Sequence, residues 1–123
     1  MDFVASVASK LQIKPGQSVC VIGRPRDATL DLGPSLSSDP AAADAVIFYA
    51  TNRAELGRVS PLLLAAAGRG ALTWVAYPKA GQLGTDLNRD KLVALLQDSG
   101  VRPVRQIAID DVWSALRLRP AGP

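Results

Sequence analysis

Hydrophobic positions along this chain recur with two periods, and the switches between them mark out its elements. Phe3, Val4, Val7, Ala8 and Leu11 fall at helical spacing, which predicts a short amphipathic helix ending before Pro15 and Gly16. Ser18-Val19-Cys20-Val21-Ile22-Gly23 is instead a continuous apolar run rich in β-branched residues, the pattern of a strand covered on both faces. Asp44 to Ala50 (DAVIFYA) repeats that pattern, and Ala71 to Tyr77 (ALTWVAY) does so a third time before Pro78 stops it.

Helical periodicity fills the gaps between strands. Thr51 or Asn52 is placed to cap a helix from Arg53 to about Ala67, with Leu56, Val59, Leu63 and Leu64 facing inward and Gly68-Arg69-Gly70 closing it. Ser60-Pro61 predicts a break or kink in that helix, since proline removes an N–H that an interior turn needs. Thr85 or Asp86 is expected to cap a further helix carrying Leu87, Lys91, Leu92, Leu95 and Leu96, ending by Gly100. Val104 to Ile109 and Val112 to Leu118 flank only Asp110-Asp111, the length of a hairpin connection. Between Arg24 and Pro40, prolines, glycines and serines predict a loop holding at most one short strand near Thr29 to Leu32, and Pro120 to Pro123 reads as a loose tail.

This order predicts an α/β fold: a Rossmann-like three-layer sandwich with a mostly parallel sheet and a C-terminal antiparallel hairpin. A single domain, residues 1–123, accounts for the whole chain. With 48% hydrophobic residues a core forms without disulfides or a structural metal. The chain has one cysteine and no histidine, which excludes His/Cys zinc clusters, Ser-His-Asp and Cys-His nucleophile systems and histidine pH switches. Cys20, inside an apolar run, reads as a buried and inert thiol.

Charge refines the picture only slightly. The net charge of +3 comes from 14 basic residues, ten of them Arg, against 11 acidic ones spread over the chain. No basic tract interleaved with aromatics tracks a nucleic-acid backbone, so no specific nucleic-acid binding is expected. No apolar run is long enough to span a bilayer, and Met1 to Lys10 carries Asp2 early with no cationic start and cleavage site, so a cytoplasmic protein without membrane contact is expected.

The segment from Asp44 to Arg119, with its strand, helix, strand, helix and hairpin and with Ala67-Gly68-Arg69-Gly70-Ala71-Leu72 before a strand, resembles the C-terminal half of class I S-adenosylmethionine-dependent methyltransferases. The first half departs from that pattern. The turn after the first strand reads Gly23-Arg24-Pro25-Arg26-Asp27, and one glycine with two arginines is a poor cradle for a sulfonium cofactor, so no cofactor is expected. More specifically, the pieces LQIKPGQSV, WVAYPK, TDLNRD, RPVRQIAIDD and WSALRLRP resemble a small bacterial family, largely actinobacterial, whose domain has no assigned function; this resemblance implies no activity.

Candidate chemistry follows from the expected topology. Ligands of open α/β sheets bind outside the carboxyl ends of the strands. That edge would collect Arg24 and Arg26 after the first strand, Asn52 and Arg53 after the second, Lys79 after the third, and Thr85, Asn88 and Arg89 from the following loop and helix start. Together these form a candidate anion site for phosphate or carboxylate, against the alternative of ordinary solvated loop charges. Asp86 is a candidate acid/base, with helix capping as its competing role. Asp110-Asp111 reads as turn chemistry rather than a metal site. Trp74 and Trp113 read as packing residues, and Arg105, Arg117 and Arg119 as a basic stripe on the hairpin. The expected function is a non-catalytic or regulatory module binding an anionic small molecule or a protein partner. The alternative is a minimal transferase with Asp86 as base and Lys79 or Arg53 stabilising negative charge. The hairpin edge also offers a surface for a homodimer.

Overall fold

A computed structural model describes residues 7–14, 16–25, 39–79, 81–97 and 99–120. The expected strand near Thr29 to Leu32, the helix start at Phe3 and Val4, and Arg26 lie outside the described residues. The elements follow in the order α1 (Val7–Lys10), β1 (Val19–Ile22), β2 (Ala45–Tyr49), α2 (Arg53–Gly68), β3 (Leu72–Pro78), α3 (Arg89–Gln97), β4 (Val101–Ala108) and β5 (Trp113–Pro120). A 3₁₀ turn, Gln82–Gly84, sits between β3 and α3.

The five strands make one open mixed sheet in the order β1-β2-β3-β5-β4. The first three are parallel, β5 is antiparallel to β3, and β4 is antiparallel to β5 at the edge. The continuous apolar runs seen in the sequence are the strands buried on both faces: every residue of β2 is buried. Alternation then sends side chains to two cores. Val46, Phe48, Val75, Tyr77, Leu116 and Leu118 meet Leu56, Leu63, Ala66 and Ala67 of α2 and Leu92 and Leu96 of α3. Ala45, Ile47, Tyr49, Trp74, Ala76, Trp113 and Ala115 pack on the opposite face with Leu11. The two long helices therefore share one face, and among the described residues the other is covered by the segment around Leu11. That segment is tied down by Trp74, whose indole Nε1 donates to the Leu11 carbonyl at 2.9 Å.

Local chemistry sets the element boundaries. Asn52 is the N-cap of α2, its side chain accepting from the Glu55 N–H. The helix ends in a Schellman arrangement, with Gly70 N–H donating to Ala67 O and Ala71 N–H to Ala66 O, and Gly70 takes the left-handed conformation (φ 85°) this requires. The expected break at Ser60-Pro61 does not occur: α2 continues through Pro61. Gly57, whose carbonyl loses its donor, and Pro61 are both solvent-exposed, so water can replace the missing bond, while Ser60 Oγ donates to Leu56 O at 2.7 Å.

The expected start of α3 is also corrected. Its cap is Asn88, which accepts from the Lys91 N–H at 2.9 Å, and Thr85 and Asp86 precede the helix. Leu87 before the cap and Leu92 in the second turn are both buried in the same cluster, the pairing of a hydrophobic staple. The hairpin strands extend further than expected, β4 beginning at Val101 and passing through Pro103, which its position at the sheet edge tolerates, and β5 ending at Pro120.

Candidate functional site

Because β1, β2 and β3 are parallel, Ile22, Tyr49 and Pro78 end at one edge of the sheet. β4 finishes and β5 begins at that same edge, with Trp113 opposite Pro78 and Ala108 opposite Ser114. Arg24, Asn52, Arg53 and Lys79 follow these strand ends directly, so the edge is as cationic as the topology implies. They do not, however, share one mouth.

Lys79, Asn88 and Arg89 are brought together. With Tyr77, Gln106, Ile107, Ala108 and Ser114 they line a cavity of about 530 Å³ between the end of β3, the start of α3 and the hairpin. Lys79 is held there by backbone, its N–H donating to Val112 O at 2.7 Å. Its lining contains two cations, two amide side chains and two hydroxyls, and no carboxylate. Arg89 lies 3.9 Å from Asp90, but both side chains are largely exposed and such a pair contributes little, so the guanidinium is able to turn toward the cavity. Its charge reaches the lining already: burial pushes the Tyr77 phenol above its ordinary range and Arg89 opposes that shift.

The start of α2 is closed by the protein's own acids. Arg53 N–H donates to Asp86 Oδ1 at 2.9 Å, and Thr51 N–H donates to Glu55 Oε1 at 2.8 Å. Thr85 Oγ1 donates to Thr51 O at 2.6 Å and accepts from Leu87 N–H at 3.0 Å. Thr85 and Asp86 thus join the loop before α3 to the start of α2, while Asn52 is engaged in capping α2 itself. Arg53 itself borders a different, mostly apolar groove between α2 and α3 with Leu56, Gly57, Leu95 and Leu96.

A second cavity of about 390 Å³ lies beside β1 and β2, lined by Gly23, Pro25, Tyr49, Thr51, Glu55, Arg58 and Val59. Gly23 (φ 76°) is required at its rim, since a Cβ would sit 3.1 Å from Tyr49 O. The Tyr49 hydroxyl is buried without a hydrogen-bond partner. Burial pushes that phenol up to about 12, with Arg24 lowering it and Asp110 raising it.

Asp110 serves the turn, its Oδ1 accepting from Val112 N–H and Trp113 N–H, both at 2.8 Å. Both tryptophans are buried, Trp113 edge-on to Tyr49 with centroids 4.9 Å apart. Among the described residues no group of three His, Cys, Asp or Glu side chains could hold a metal ion, and no helix is long and apolar enough to cross a membrane. Gln106, Ser114 and Tyr77 escaped the sequence reading as site residues. Their signal was strand alternation, which places Tyr77 with Ser114 and Gln106 on the helix-covered face. The chain matches no protein-family model and no curated protein.

Proposed function

We propose that this chain is a non-catalytic binding module that holds an anionic small molecule in the cavity framed by Lys79, Asn88, Arg89, Gln106 and Ser114. The observation that carries this reading is the lining: Lys79 and Arg89 converge with neutral donors on a concave site whose lining holds no carboxylate. Its volume of about 530 Å³ suits a metabolite-sized ligand. The three parallel strands followed by an antiparallel hairpin support a Rossmann-like scaffold resembling the C-terminal half of class I methyltransferases. The arginine-bearing turn after β1 argues against S-adenosylmethionine as its ligand.

The transferase alternative loses support from Asp86, whose Oδ1 caps the first turn of α2 and whose side chain does not line the cavity that holds Lys79 and Arg89. A thermal-shift and calorimetric screen with phosphate, phosphorylated metabolites and small dicarboxylates tests the proposal. An anionic ligand should raise the melting temperature of the native chain, and Lys79→Gln combined with Arg89→Gln should weaken its binding about tenfold or more. Stabilisation by a monophosphate or a dicarboxylate that survives this double substitution, or stabilisation that arises with S-adenosylmethionine instead, overturns it.

A further inference from the structure

A second cationic surface lies at the far end of the hairpin, away from the proposed cavity. Cross-strand register sets Arg102 opposite Arg119 and Arg105 opposite Arg117. Residues opposite one another share a face, as do positions two apart on a strand. All four guanidiniums therefore project from the face that also carries Trp113 and Ala115. A bulge makes this so. The register shifts between Pro103 and Arg105; without the extra residue, Arg105 would pair with Leu116 and project from the helix-covered face.

Like charges placed directly opposite repel and destabilise the pairing. Here two such pairs are stacked, and among the described residues none of the four arginines makes an ion pair with a carboxylate. Arg102, Arg105 and Arg119 are exposed. Arg117 is partly sunk: its Nε is buried without a partner, and one terminal nitrogen donates to Gln12 Oε1 at 2.6 Å, which fixes the guanidinium in place. Burial, then Arg119 and Arg105, lower its affinity for its proton. The patch is a block of positive charge with one guanidinium, that of Arg117, held in position.

We propose that this four-arginine face binds a linked di- or triphosphate chain. Planar guanidiniums give bidentate hydrogen bonds to phosphate oxygens, and opposed Cα atoms about 5 Å apart with a rise of about 3.3 Å per residue set four of them within reach of adjacent phosphates. Two phosphate groups bring a charge of about −3 to −4, comparable to that of the four arginines. A nucleic-acid strand fits less well, because the nearest aromatics, Trp113, Trp74 and Tyr49, are buried and offer no base a stacking surface.

Titration calorimetry with sodium tripolyphosphate on the full chain tests this. The native chain should bind it, and Arg105→Gln with Arg117→Gln should weaken binding about tenfold or more. Lys79→Gln with Arg89→Gln should leave it unchanged, which separates this site from the cavity. Arg102→Gln with Arg119→Gln, both at exposed positions, supplies a second weakened variant that leaves the Gln12 contact intact. Without anion, the Arg102/Arg119 variant should melt no lower than the native chain, since repulsion is relieved and no hydrogen bond is lost. No heat of binding to the native chain, unchanged binding in both hairpin variants, loss confined to the Lys79/Arg89 variant, or tighter binding of a single-stranded oligonucleotide each overturns the proposal.

Discussion

Replacing Asp86 by alanine separates a carboxylate that builds the fold from one that performs chemistry. In the structure its Oδ1 accepts from the Arg53 N–H at 2.9 Å, at the first turn of a 16-residue helix. Two contributions are lost on truncation. A side-chain acceptor at a helix start is worth about 1 kcal/mol, and the negative charge beside the helix dipole adds about 0.3–1 kcal/mol at low salt. Both Asp86 and Arg53 are exposed, so the freed N–H meets water and no buried-donor penalty follows. The expected loss is about 1–2 kcal/mol, a drop in melting temperature of roughly 3–8 °C for a domain of this size. Asp86→Asn keeps an acceptor and loses the charge, so it should fall between native and Asp86→Ala, and added salt should narrow its gap from the native chain. Urea and thermal unfolding followed by circular dichroism measure these differences. Anion binding in the Lys79 cavity should persist in both variants wherever they remain folded. A native-like melting temperature for Asp86→Ala, or abolished ligand binding in a fully folded Asp86→Asn chain, refutes the capping argument.

Tyr49→Phe should be neutral or stabilising near pH 7, because it removes a buried hydroxyl with no partner and keeps the ring against Trp113. With the folded phenol pushed up to about 12 from an ordinary 10, the unfolded chain loses this proton first, so stability falls as pH rises from about 10 toward 12; the decline should be shallower in Tyr49→Phe, and identical alkaline unfolding curves would count against it. Trp74→Phe leaves the Leu11 carbonyl without its buried donor and opens space in the core, and chemical denaturation should show a loss of about 2–4 kcal/mol, with a loss below about 1 kcal/mol contradicting the role given to this bond. Cys20 is buried, and burial first and Asp39 second push its thiol up; iodoacetamide should therefore modify it only as fast as the native chain opens, and prompt alkylation at neutral pH would contradict this.

The parts of the fold legible in the sequence were those determined by covering. A strand buried on both faces must be apolar at successive positions, so β1, β2 and β3 announced themselves, and the parallel pairing of β2 with β3 followed from the helix lying between them. The alternation that sends Trp113 and Ala115 to one face and Leu116 and Leu118 to the other was equally visible in β5. Pro61 misled because its cost depends on where the freed carbonyl points. On an exposed helix face, water donates to a carbonyl that a buried face would leave unpaired.

The site was legible only to the level of an edge. Topology alone brings Arg24, Arg53 and Lys79 to the same end of the sheet, but which cavity each borders is decided by hydrogen bonds between loops distant in sequence. Thr85 reaches Thr51 across 34 positions and Asp86 reaches Arg53 across 33. No period or motif encodes such contacts; Thr-Asp before a helix reads first as that helix's own cap. Once these two residues secure α2 instead, Asn88 takes over the cap of α3 and Arg89 is delivered beside Lys79. The cavity's charge is thus a consequence of the capping exchange.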